Sequence, residues 1–123
     1  MNIYLHVEVS VRELDSKLLL AILAASRGHQ VIVSDLVGIE KGVKSGVLAP
    51  GIFHTKSLSP HKEKIARHKS MIDKGFMITS IDEEGNLNDY GYQGFAKTRY
   101  SDETIEQSTA VFGWGSDDVD TLK

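Results

Sequence analysis

Asp82-Glu83-Glu84-Gly85 contains the only run of three consecutive acids in the chain. Neighbouring carboxylates raise one another's proton affinity, and a glycine lets the backbone bend close to a ligand. One of Asp82, Glu83 and Glu84 is therefore a candidate general base, with Gly85 beside a substrate; a solvated acidic turn after a strand is the structural alternative. Paired acids can also hold a metal, but no matching histidine cluster fixes a geometry and the chain has no cysteine, so no metal site is expected.

Arg12 can clamp a carboxylate or phosphate through two parallel hydrogen bonds, and Lys56 can add a point charge to the same anion. Glu13, Asp15 and Lys17 either line the same substrate site or form ordinary ion pairs at a helix start. His61 and His68 lie in a basic segment with Lys62, Lys64, Arg67 and Lys69. Metal ligation favours positions four apart, so this segment reads as a solvated basic face, or as one that meets an anionic headgroup or acidic glycan. Gly113-Trp114-Gly115-Ser116 lacks the third glycine and following lysine of a phosphate loop. The first strand-to-helix turn has no glycine, which removes a nicotinamide fingerprint. That strand also ends at Ser10 instead of an acidic pair, unlike a phosphoacceptor module.

These residues need elements to hold them. Ile3, Leu5, Val7 and Val9 alternate with Tyr4, His6 and Glu8, which predicts a strand over 3–9. Leu14 to Arg27 is apolar on nearly all sides and stops at Gly28, which predicts a well-buried helix. Val31-Ile32-Val33 predicts the next strand, and Gly38 to Val47 a short helix weakened by Gly42 and Gly46. After Pro50-Gly51 come a strand at Ile52 to Thr55, a helix at Pro60 to Lys74 with Ile65, Ala66, Met71 and Ile72 as its buried stripe, and a strand at Phe76 to Ile81. Asn86 to Thr98 reads as a long ordered loop, Ser101 as the cap of a short helix, and Ala110 to Trp114 as a last strand. Strand, helix and strand in alternation predict an α/β fold: a Rossmann-like open parallel sheet with helices on both faces. Ligands of such sheets sit outside the carboxyl ends of the strands. That rim would gather Ser10 to Glu13, Asp35, His54 to Lys56, Asp82 to Gly85, and Gly113 to Gly115.

The chain's 123 residues, 41% hydrophobic and 25% charged, suffice for one domain with its own core. A net charge of −3 argues against a nucleic-acid partner, which needs a basic footprint. The absence of cysteine suits a reducing compartment. The longest apolar run, Leu18 to Ala25, is too short to span a bilayer, and the first residues lack the pattern of a secretory signal. A cytoplasmic location is expected, with at most peripheral contact at the inner face of the membrane. The eight residues from Ser116 cover a final strand thinly, so a second α/β subunit, self-association or further sequence is expected to complete the fold.

The stretch Glu8-Val9-Ser10-Val11-Arg12-Glu13-Leu14-Asp15-Ser16-Lys17-Leu18-Leu19-Leu20-Ala21, with Arg27-Gly28-His29-Gln30-Val31 after it, resembles the opening of the bacterial surface carbohydrate biosynthesis proteins. The resemblance continues in order through Pro50-Gly51-Ile52-Phe53, Lys56-Ser57, Ile81-Asp82-Glu83-Glu84-Gly85 and Val111-Phe112-Gly113-Trp114-Gly115. Members of that family are longer and resemble two-domain GT-B glycosyltransferases, including Kdo-transferase-like enzymes; this chain resembles only their N-terminal half. The resemblance implies an acceptor-side domain for a glycan or glycolipid, with a nucleotide sugar as donor in the other half and no cofactor in this one. It implies Arg12, Glu13, Asp15 and Lys17 along the first loop, Lys56 near an acidic sugar or phosphate, and a cleft carboxylate from Asp82, Glu83 or Glu84. A standalone Rossmann-like module that binds an anionic sugar or phosphate without catalysis is the alternative.

Overall fold

The computed structural model describes residues 1–8, 10–58, 60–81 and 102–112. In chain order these form β1 (Asn2–His6), α1 (Ser10–Ser26), β2 (Gln30–Ser34), α2 (Leu36–Lys44), β3 (Ile52–Thr55), α3 (Lys62–Asp73), β4 (Met77–Ile81), α4 (Asp102–Glu106) and β5 (Ala110–Phe112). The five strands make one open sheet in the order β2-β1-β3-β4-β5, and every pairing is parallel. The expected α/β, Rossmann-like architecture is therefore present.

Crossovers between parallel strands keep one hand, so reversing their direction moves the connecting helix to the other face of the sheet. The β1-to-β2 crossover runs outward one way, while the crossovers through α2 and α3 run the other way. Accordingly, α2 and α3 share a face. Register sets Tyr4 beside Phe53 and Phe53 beside Ile78 on that face. There they join Ile39 and Val43 of α2, Leu58, Met71 of α3 and Phe76 in the buried core. The Tyr4 hydroxyl donates to the Ala49 carbonyl at 2.5 Å, so the ring is buried without stranding its polar end.

β1 ends at His6, short of the strand expected over 3–9, and two helices differ from the sequence reading in the side they bury. α1 starts at Ser10, before Leu14, and it is not buried on all sides: Leu18, Leu19, Leu20, Ile22 and Leu23 are exposed. A helix offers one stripe to a sheet, and the inward positions of α1 are Glu13, Lys17, Ala21 and Ala24, whose spacing of three and four keeps them on one side. In α3 the buried residues are His68 and Met71, whereas Ala66 and Ile72 are exposed. Ala66 lies five positions from Met71, which turns it to the opposite side of the helix, so the expected stripe could not share a face. His68 is thus a core residue and not part of a solvated basic face.

Candidate functional site

The strand order reverses between β1 and β3, because the chain leaves β1 toward β2 and later returns on its other side to lay down β3 and β4. The connections diverge there, at the carboxyl ends of the two strands, which is where open parallel sheets form their ligand crevice. The side chains that follow those ends meet there. Lys56, just beyond β3, places its Nζ 3.0 Å from Glu8 Oε2 and 3.3 Å from Glu13 Oε1. Glu8 follows β1 and is half exposed, whereas Glu13 projects from the first turns of α1 and is buried. Lys17, one turn further along α1, is also buried. A single ammonium is therefore held between an inner and an outer carboxylate, with a second lysine behind them.

Burial works against the charge on Lys56, but its hydrogen bonds to Glu8 and Glu13 outweigh it and hold the ammonium above its usual range. The same hydrogen bond from Lys56 holds Glu8 below the usual carboxylate value. Both members are ionised at neutral pH.

Three buried histidines lie in the same part of the sheet, of which His6 interacts with the charged cluster itself and His54 with Lys17. On the α2/α3 face, His6 and His68 flank Phe53, with ring centroids 5.4 Å and 6.0 Å from it. Neither nitrogen of either ring has a hydrogen-bond partner among the described residues, nor has the buried Ser80 hydroxyl. On the α1 face, His54 Nδ1 lies 2.8 Å from Thr79 Oγ1, and its ring is 6.4 Å from that of Phe112. Burial pushes His6, His54 and His68 each down to about 4, so all three rings are neutral at pH 7.

Of the residues singled out in the sequence, Glu13, Lys17 and Lys56 come together in this crevice. Arg12 and Asp15 are exposed on the other side of α1. Asp82, Glu83, Glu84 and Gly85 lie outside the described residues, as do Gly113 to Gly115 and the expected Ser101 cap. Asp35 serves as the N-cap of α2, its Oδ1 accepting from Gly38 N at 2.7 Å. Glu8 was not recognised as a site residue from the sequence; the signal for it is its place two residues after β1, paired across the switch point with the residue that follows β3. A groove of about 350 Å³ between α2 and α3 includes Glu40, Val43, Arg67 and Met71 in its walls. All of its walls are helical side chains, so it is separate from the rim. Arg67 Nε donates to Glu40 Oε1 across it.

Among the described residues no group of three or more side chains is placed to hold a metal ion, and no helix is long and apolar enough to cross a membrane. No family model, curated protein or solved structure matches the chain.

Proposed function

We propose that this chain is the acceptor-side domain of a GT-B-like glycosyltransferase of surface polysaccharide biosynthesis, with the β1/β3 crevice as its acceptor site. The observation that carries the reading is the Glu8–Lys56–Glu13 cluster, a charged hydrogen-bonding array at the point where open parallel sheets take their ligands. With Lys17 behind it, the array balances two cations against two carboxylates. It offers acceptors and donors to the hydroxyls of a glycan at little cost in net charge. Glu8, the member nearest solvent, meets the ligand first.

Asp82, Glu83 and Glu84 follow β4 directly in the sequence. One of them accepts the proton of an acceptor hydroxyl as its oxygen bonds to the anomeric carbon of the nucleotide sugar. The bond from that carbon to the nucleotide phosphate breaks, and the nucleotide leaves with the electron pair. A second α/β domain holds the donor.

Titration of the ¹⁵N-labelled chain with neutral and acidic oligosaccharides tests the acceptor site. Shifts centred on the backbone of Glu8, Glu13 and Lys56, weakened in Glu8→Gln, are expected. Shifts confined to other surfaces, or none with any glycan at millimolar concentration, would sink the reading. In the presence of a donor-side domain, Glu83→Gln or Glu84→Gln should abolish transfer while leaving glycan binding intact. Glycan binding without transfer in every combination would favour the standalone binding module.

A further inference from the structure

The outward face of α1 is apolar although nothing among the described residues packs on it. Leu18, Leu19, Ile22 and Leu23 are 42%, 60%, 65% and 51% exposed. They are spaced i, i+1, i+4 and i+5, which places them in one patch over two turns in the middle of the helix. Soluble chains seldom leave four large aliphatic side chains contiguous and wet.

The pattern reads the same from either end. If two copies of α1 meet antiparallel about an axis between Leu20 and Ala21, Leu18 lies opposite Leu23 of the second copy and Leu19 opposite its Ile22. Every aliphatic side chain then faces another, as the self-complementarity of a two-fold contact requires. Opposite charges flank the patch, within one residue of the same axis. Asp15 stands one turn before the patch and Arg27 one turn after it, both exposed, and neither forms an ion pair within the described structure. The antiparallel arrangement sets Asp15 of each copy opposite Ser26 of the other, next to Arg27, whereas a parallel one would set like charges side by side.

We infer that the outward face of α1 is a two-fold contact between two copies of this chain, with Leu18, Leu19, Ile22 and Leu23 at its centre and Asp15–Arg27 pairs at its ends. Glu13 and Lys17 lie on the inward side of the same helix, so the contact leaves the Lys56 crevice open in both copies. The pairing does not rest on the glycosyltransferase reading.

Sedimentation velocity of the full chain over a range of concentrations tests it. A two-chain species in the micromolar range is expected. Leu19→Glu or Ile22→Glu should raise its dissociation constant by about tenfold or more, with circular dichroism unchanged because both side chains are at the surface. Asp15→Arg and Arg27→Asp should each weaken the dimer, and the double variant should regain much of the loss. A dimer indifferent to all four substitutions would overturn the proposal, because its contact would lie elsewhere. So would a wild-type chain that stays monomeric at the highest concentrations. Ile22→Cys adds a readout, since the chain has no other cysteine: maleimide should label it quickly when dilute and slowly when concentrated. Slow labelling at every dilution would mean that another part of the same chain covers the face, which also overturns the pairing.

Discussion

At the scale of single residues, the charged group with most to lose is Lys56. It links three separate pieces of chain, the segment after β1, the start of α1 and the end of β3, through contacts of 3.0 Å and 3.3 Å. Glu13 is 3% exposed, so without Lys56 its carboxylate would lose a main partner in a site that water scarcely reaches. Removing one side of a buried pair costs about 3–5 kcal/mol, much of it the penalty of the charge left behind. Lys56→Met should therefore destabilise the chain by about 3 kcal/mol in urea unfolding at pH 7. Glu13→Gln added to Lys56→Met should restore at least half of that loss, because the stranded charge is then gone. Strictly additive costs would show that the two groups are not coupled.

At the scale of elements, the strand spacing and the order of strands and helices were readable because period-two alternation and glycine stops report directly on backbone geometry. Ile52 to Thr55 is a strand with the bounds expected, and Gly28 and Gly75 end α1 and α3 with φ near +90°. What the pattern could not show was which side of a helix meets the sheet. In α1 the inward stripe contains Glu13 and Lys17, so hydrophobicity pointed the wrong way. In α3 a histidine occupies a core position that composition assigns to an aliphatic residue. For the candidate site, Glu13 and Lys56 are legible as rim residues and Lys17 as a residue of the first loop implied by the family resemblance, but the pairing of Glu13 with Lys56 is not, since it depends on β1 and β3 being neighbours. Two element-level tests follow from local geometry. Asp35→Ala removes the cap on Gly38 N and should cost about 1 kcal/mol, with Asp35→Asn nearly neutral. Gly51 lies against β1 so closely that an added Cβ would meet the Asn2 carbonyl oxygen at 2.2 Å. Gly51→Ala must therefore push β1 and β3 apart, and a thermal midpoint lowered by several degrees checks it; an unchanged midpoint would mean the strands are not held at that distance.

At the scale of the whole molecule, three buried histidines couple folding to pH. His6, His54 and His68 titrate near 4 in the folded chain, against about 6.5 when unfolded, because burial disfavours the imidazolium. Around His6, burial outweighs the pull of Glu8 and Glu13 while Lys17 and Lys56 act with it, and around His68 the charges of Arg67, Lys64 and His6 all act in the same direction as burial. Between those values the unfolded chain binds protons that the folded chain refuses. The stability contributed by the neutral rings is thus complete above about pH 6.5 and is lost as pH falls from there through 4. By pH 5.5 each ring should have forfeited about 1 kcal/mol, a loss that for three rings together is comparable to a large share of the 5–15 kcal/mol that holds a typical domain folded. Glu8, held low by Lys56, adds a smaller effect of the same sign below its unfolded value. Lys56 acts at the other end, since its raised folded value makes its contribution complete below the ordinary lysine range and lost as pH rises through that folded value. The stability maximum should accordingly be a plateau from about pH 7 to 10, with a steep acid side. Replacing His68, which has no hydrogen-bond partner within the described structure, by Leu should leave the plateau height nearly unchanged and reduce the acid slope by about a third. Urea midpoints collected at half-unit steps from pH 8 to 4.5 measure both. A wild-type profile that is flat down to pH 5 would falsify the neutral, buried state of these rings.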